Sequence, residues 1–290
     1  MTSSLVGSEM CIRDRLKDKS GRLLYKDSEC KKPATVADYN ANGTYYTEPV
    51  YTGWQTIDGK VYYYTSNHQR VTGSQVISGI TYNFGSDGAL QQGSGKNGID
   101  VSSHQGNIDW ASVKAAGINF AIIRVGYRGS QTGALVEDSC FKKNIQGATA
   151  NGINVGVYFF TQATTEAEAV EEASMALTLC SGYNLSYPIF VDTENGSGAA
   201  RANGLDKGSR TACVAAFCKT IANGGRKAGV YASKSWYNNK IDASAFSNYF
   251  IWVAQYNTTC NYKGKYNMWQ YSSKGSVPGI KGNVDVNIAY

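Results

Sequence analysis

Tyr187-Pro188-Ile189-Phe190-Val191-Asp192-Thr193-Glu194 sets a short apolar run between a proline and two acids. Branched and aromatic residues in a run this short predict a buried strand over 189–191 rather than a helix. Working outward, similar runs lie at 98–101, 120–125, 155–160 and 229–231. Helical patterns fall between them, near 109–116, 138–151, 165–180 and 206–223, with a shorter one near 235–239. Strands at 250–255, 267–271 and 284–287 then follow closely, without full helices. Strand alternating with helix predicts an α/β fold, a parallel sheet covered by helices. Eight strands close a TIM-like (β/α)5(β)3 barrel over residues 98–290, and the chemistry of such barrels sits at the carboxyl ends of the strands.

Each of those ends offers polar side chains. Asp100 and His104 follow the first strand, Arg124 and Tyr127 the second, and Tyr158 and Gln162 the third. Later ends carry Trp252, Gln255 and Tyr256, then Trp269, Gln270 and Tyr271, and last Asp285 and Asn287. Asp192 and Glu194 stand two apart, so on an extended chain both carboxyls point to one face. Like charges so close raise one pKa and keep a proton on one acid near neutrality. A protonated carboxyl beside an ionised one is what glycosidic cleavage requires. By spacing alone the pair reads equally well as two surface acids after a strand.

The N-terminal third has a different texture. Residues 53–72, GWQTIDGKVYYYTSNHQRVT, align without a gap on residues 73–92, GSQVISGITYNFGSDGALQQ. Glycine, glutamine, isoleucine and tyrosine recur at equivalent places, including Gly53 and Gly73, Gln55 and Gln75, and Tyr62 and Tyr82. A twenty-residue period with an aromatic strand between glycine turns predicts stacked β-hairpins. The repeat region is taken as 16–92, with 23–46 as a degenerate further unit, and the glycine-rich stretch 93–97 as a linker. The opening MTSSLVGSEMCIRDR contains LVGSEMCIRDR, which resembles a translated sequencing-adaptor scar. Residues 1–15 are therefore set apart as a non-native artefact, with the true start and any signal peptide expected to be missing.

Composition narrows the classes. Apolar residues make up 42% of 290 and charged residues 17%, which fits a folded chain with a core and not a disordered one. The net charge of +6 comes without a dense basic run, so nucleic acid is a poor partner. It suits approach to an anionic wall polymer, as steering rather than specificity. Two histidines and no Cys/His zinc spacing leave no expected metal or other cofactor. Seven scattered cysteines show no disulfide framework. No stretch approaches the roughly 20 apolar residues of a membrane span. Twenty-one tyrosines and five tryptophans supply flat amphipathic surface suited to sugars.

Residues 98–290 resemble glycoside hydrolase family 25, the muramidases. The matching pieces are Gly98-Ile99-Asp100-Val101-Ser102-Ser103-His104-Gln105-Gly106, Phe120–Arg124, Gly156–Phe160 and Phe190–Glu194, followed by Trp252–Tyr256, Trp269–Tyr271 and Val284–Asn287. They fall in the family's order across the whole domain; each is weak alone and the set is specific. The resemblance implies a secreted or wall-located peptidoglycan hydrolase cutting the β-1,4 bond between N-acetylmuramic acid and N-acetylglucosamine. It implies Glu194 as general acid, Asp192 as its helper, and Asp100 and Asp285 as the rest of an acidic cluster. Tyr158, Trp252, Gln255, Trp269, Gln270 and Tyr127 are the expected substrate contacts. Where the family often has histidine, this chain has Phe159. The repeats resemble wall-binding repeats of surface proteins, which implies Trp54, Tyr62, Tyr64, Tyr82 and Phe84 as contacts to teichoic acid or another wall polymer. The alternatives are another hydrolase of N-acetylglucosamine-containing glycans, a peptidoglycan amidase or peptidase, and a non-catalytic wall-binding protein.

Overall fold

The computed structural model describes residues 15, 17, 23–26, 30–32, 34–35, 43–47, 51–57, 60–77, 80–91, 95–257 and 259–290. The segment set apart at 1–15 lies outside these except for Arg15. The chain divides into two compact units, Met1–Gly53 with Tyr64–Gln69, and Trp54–Tyr63 with Arg70–Tyr290.

The larger unit holds a closed barrel. Its strands are β1 (Lys96–Val101), β2 (Phe120–Arg128), β3 (Asn154–Phe160), β4 (Ile189–Asp192), β5 (Ala228–Ser233), β6 (Phe250–Ala254), β7 (Met268–Gly275) and β8 (Val284–Ala289). Helices α1 (Trp110–Ala115), α2 (Phe141–Ala150), α3 (Glu166–Leu179), α4 (Lys207–Asn223) and α5 (Lys234–Asn239) follow the first five strands in turn. Neighbours pair in parallel from β1 to β7, and β8 joins β7 to β1 to complete the ring. The last strand breaks the parallel run: β8 runs antiparallel to both β7 and β1. The link from β7 to β8 is too short for a crossover, so the chain turns back on itself. β1 also begins two residues earlier than the linker reading of 93–97 implies, since Lys96 and Asn97 already pair with Ala289 and Ile288.

Strand alternation divides the apolar residues into two cores. Phe120, Ile122, Phe190, Trp252 and Met268 fill the barrel interior, while Ile123, Val157, Phe159, Val191 and Val253 face the helices. Glycine makes room inside: a Cβ on Gly98 would enter the Phe120 ring, and one on Gly229 the Phe190 ring. Asp109, Thr165, Asp206 and Ser233 accept backbone N–H bonds as the N-caps of α1, α3, α4 and α5. At the end of β2, Arg128 is buried and donates to Glu172 (2.8 Å), to Glu171 (2.9 Å) and to the carbonyls of Gly133 and Glu168, which ties β2 to α3.

Hairpins precede the barrel. Gly53–Ile57 pairs with Lys60–Tyr64, and Gly73–Ile77 with Ile80–Phe84, to which Leu90–Gln91 adds a third strand. The elements repeat at the offset of twenty seen in the sequence. Gly53 and Gly73 both take positive φ, 67° and 69°, a conformation that favours glycine. Tyr82 and Phe84 belong to the helix-side core, and the Tyr82 hydroxyl donates to the carbonyl of Ala116 at 3.1 Å. In the smaller unit, Leu24–Tyr25 pairs antiparallel with Tyr46–Thr47, and Tyr51 packs on Tyr64 with ring centroids 5.2 Å apart.

Candidate active site

The interior changes from apolar to acidic toward the carboxyl ends of the parallel strands. On β4, Phe190 points inward at mid-barrel and Asp192, two residues on, points inward at the mouth. Glu194 lies two residues past the strand. Asp100, on β1, lies near enough to raise the pKa of Asp192. The reversed β8 brings Asp285, its second residue, directly opposite Asp100 in the antiparallel ladder. Residues so paired hold their Cβ atoms about 5 Å apart. Read as one more parallel strand, β8 would have carried Asp285 away from the mouth.

Two side-chain amides orient Asp100. Gln270 Nε2 and Asn287 Nδ2 both donate to Asp100 Oδ2, at 2.9 and 2.8 Å. The amides are themselves fixed. Trp252 Nε1 donates to Asn287 Oδ1 (2.8 Å), and the hydroxyls of Tyr231 (2.9 Å) and Tyr256 (3.0 Å) donate to Gln270 Oε1. An indole N–H can only donate, so Asn287 has one allowed orientation. Asp192 is 5% exposed and its buried Oδ1 has no hydrogen-bond partner.

These carboxyls hold protons above the ordinary range. Burial raises Asp100, and Asp285 raises it further, against the two amide donors that favour its charge. Burial raises Asp192, then the nearby Glu194 and Asp100, while Arg124 opposes. Burial pushes Asp285 up to about 6. Glu194 is exposed at the rim, yet the surrounding walls remove enough water to raise it, and Asp285 adds to the effect. All four carboxyls are thus shifted toward the protonated form by burial, and Asp100, Asp192 and Glu194 also by neighbouring acids.

Other expected contacts divide between the mouth and elsewhere. Tyr158 lies inside, edge-on to Trp252 at 6.4 Å, and Trp252 is 1% exposed, a wall beneath the acids. Tyr127 reaches the mouth because the register shifts where Arg124 and Gly126 meet Tyr158 and Phe159. The Arg124 guanidinium lies 5.2 Å from the Tyr127 ring centre. Trp269 does not join the groove. It neighbours the inward Gln270, so it faces the outer core, where its Nε1 donates to the Gln255 carbonyl at 2.8 Å. Gln255 braces its own loop through two bonds to Asn261. Phe159 packs outside the barrel against Phe217 of α4, so its departure from histidine does not touch the groove.

The repeat aromatics are mostly covered. Tyr82 is 2% and Phe84 3% exposed, and neither has a ring face to offer a ligand. Tyr62 is also buried, with Arg70 over its ring, and Trp54 stands half-buried against Tyr82 at 4.6 Å. Tyr64 keeps partial exposure in the smaller unit.

Several residues that shape the site were not singled out from the sequence. The loop after Glu194 folds around Asn203, whose Oδ1 accepts from Gly196 N (2.9 Å) and whose Nδ2 donates to Gly196 O and Gly198 O, both at 3.1 Å. Gly196 must be small, since a Cβ there would lie 2.5 Å from Ala200 Cβ and 3.1 Å from the Gln162 amide. On the near side, Thr193 N donates to Tyr231 O at 3.1 Å, so Glu194 is held between two fixed points. Arg124 is positioned by the buried Asp138 at 2.7 Å and donates to Ser103 Oγ at 3.0 Å.

The sequence of residues 99–280 matches the family model described as glycosyl hydrolases family 25. Lysozyme M1 of Streptomyces globisporus is 30% identical over 204 residues, 67% of this chain and 67% of that protein. The autolytic lysozyme of Clostridium acetobutylicum is 28% identical over 191 residues, 66% of this chain and about half, 54%, of that protein. Among solved structures, the bacterial lysozyme of Streptomyces coelicolor has a TM-score of 0.57 at 30% identity, covering 67% of this chain and 91% of that one. The modular autolysin LytC of Streptococcus pneumoniae shares the fold over 96% of this chain and 75% of its own, with a TM-score of 0.62 at 24% identity. Barrel, acidic mouth and matched sequence agree: the chain belongs to the glycosyl hydrolases of family 25.

Proposed function

We propose that the chain is a peptidoglycan hydrolase that cleaves the β-1,4 bond from N-acetylmuramic acid to N-acetylglucosamine, with Glu194 as general acid. The observation that carries this reading is the acid cluster, in which Glu194 stands at the rim with a raised pKa beside three further acids. Protonated Glu194 gives its proton to the departing O4 of N-acetylglucosamine as the bond to C1 breaks. The orphan Oδ1 of Asp192 suits the N–H of the muramic acetamide, a donor that would satisfy a buried acceptor. Held so, the acetamide oxygen adds to C1 from the opposite face, and Asp192 stabilises the positive charge. Water then opens this intermediate at C1 and passes a proton to the Glu194 carboxylate, which restores the acid. Asp100 and Asp285 keep the mouth negative as positive charge develops on the sugar. Tyr158, Tyr127 and Arg124 line the sugar path, and Trp252 forms its base.

This route retains the configuration at C1. A first-formed β-anomer, read by NMR within the first minutes of hydrolysis, supports it; a first-formed α-anomer refutes the acetamide step. Glu194→Gln should lower kcat about 10²- to 10⁴-fold, the usual size of general-acid assistance. Full activity in that variant would remove Glu194 from the role.

Work on the wall places the protein outside the cell, and the repeats serve as its attachment to teichoic acid or another wall polymer. With Tyr82 and Phe84 buried, that contact falls to the exposed edges of the hairpins and to Tyr64.

A further inference from the structure

A second cavity lies at the opposite end of the barrel. It has a volume of about 420 Å3 and opens where β4, β5, β6 and β7 begin. Its wall carries Arg226 and Lys227 just before β5, Ser247, Asn248 and Tyr249 just before β6, and Lys265 shortly before β7. None of the eleven lining residues is acidic. Among the described residues, no carboxylate forms an ion pair with any of the three cations. Arg226 spends one N–H on the carbonyl of Cys180 at 3.2 Å, which anchors the guanidinium beside the cavity.

We propose that this basal groove binds a linear polyanion through its phosphodiester groups. Three cations with no acidic partner around one concave surface attract negative charge. The planar, multiply donating guanidinium suits phosphate oxygens, and each lysine adds a mobile point charge. Neighbouring strands stand about 4.8 Å apart, so positions ahead of β5 and of β7 are separated by about 10 Å across the sheet. A chain with successive charges meets both ends of such a groove better than a single small ion does. Tyr249 offers a ring against which the carbons of a polyol or sugar between phosphates can rest. The groove is separated from the acids by the length of the barrel strands, about 15 Å. Bound polymer therefore leaves the acidic mouth free. That the polyanion is a wall component rests on the hydrolase reading; the groove and its charge do not.

The test measures binding of poly(glycerol phosphate) to the full chain by calorimetry at low ionic strength, with polygalacturonate as a polyanion carrying carboxylates. Lys227→Gln with Lys265→Gln should weaken poly(glycerol phosphate) binding at least about tenfold, and added salt should weaken the unaltered protein similarly. Both lysines are exposed, so this double variant should keep its fold, unlike Arg226→Gln, which also frees the Cys180 carbonyl. Lys207→Gln with Lys281→Gln removes the same net charge elsewhere and should leave binding within about twofold. Equal losses in both double variants would reduce the effect to net charge and overturn the site. Unchanged binding in the first would overturn it too, and tighter binding of polygalacturonate would overturn the phosphodiester assignment. Hydrolysis of short, polymer-free glycan chains should be unaffected by Lys227→Gln with Lys265→Gln. That activity is read separately, so its absence in the unaltered protein would count against the hydrolase reading and not the groove.

Discussion

At the scale of single residues, the raised pKa of Asp285 makes stability depend on pH. Its carboxyl titrates near the ordinary 3.8 when unfolded and at about 6 in the folded chain. Between these values the folded state binds the proton more tightly, so its contribution is complete below about pH 4 and is lost as pH rises through 6. A shift of about two units corresponds to at most about 3 kcal/mol, less where solvent reaches the partly exposed side chain. Asp285→Asn should therefore raise Tm by several degrees at pH 7.5 and by almost nothing at pH 4, as followed by calorimetry. The same variant removes a negative charge that raises Glu194. The alkaline limb of its kcat/KM profile should move to lower pH. An unmoved limb would mean that Asp285 does not govern the proton on Glu194.

At the scale of elements, the site depends on how strand ends are continued. Spacing alone leaves Asp192, and Glu194 two residues past the strand, equally readable as surface acids, and only the family resemblance singles the pair out. Strand alternation points Asp192 to the inner face with Phe190. The same rule bears on Trp269: in Trp269-Gln270-Tyr271 only the middle residue can face inward with Asp100, and Gln270 does. The sequence carried that signal. It carried none for Asn203, whose partners are backbone atoms of Gly196 and Gly198 and leave no spacing pattern. Nor could strand periodicity reveal that β8 is reversed, because direction depends on the link and not on the strand's own residues. Asn203→Ala frees the loop that follows Glu194 while touching no acid. Because small misplacements of a catalytic group cost up to about 100-fold, it should lower kcat about ten- to hundredfold with little change in KM. Unaltered kcat with a lowered Tm would leave Asn203 a purely structural role.

At the scale of the whole molecule, the boundary between repeats and barrel read from composition differs from the packing. The second hairpin and its third strand share the core of the larger unit through Tyr82, Phe84 and Leu90. Tyrosine spacing revealed a repeat, but not that its rings turn into an apolar core rather than toward a ligand. Burial settles which way a ring faces, and composition does not encode it. Tyr82→Ala removes a ring that is 2% exposed and a hydrogen bond to Ala116, and should cost about 3–5 kcal/mol. Urea unfolding followed by the tryptophans of the barrel would register that loss, whereas a barrel indifferent to Tyr82 would show none.

The proposed hydrolysis cuts one particular bond of the glycan strand. Digestion of purified peptidoglycan, borohydride reduction of the fragments and mass spectrometry of their ends identify that bond directly. Reduced N-acetylmuramic acid at the new ends, absent with Glu194→Gln, is the predicted result; reduced N-acetylglucosamine ends, or cut stem peptides with intact glycan, would contradict it.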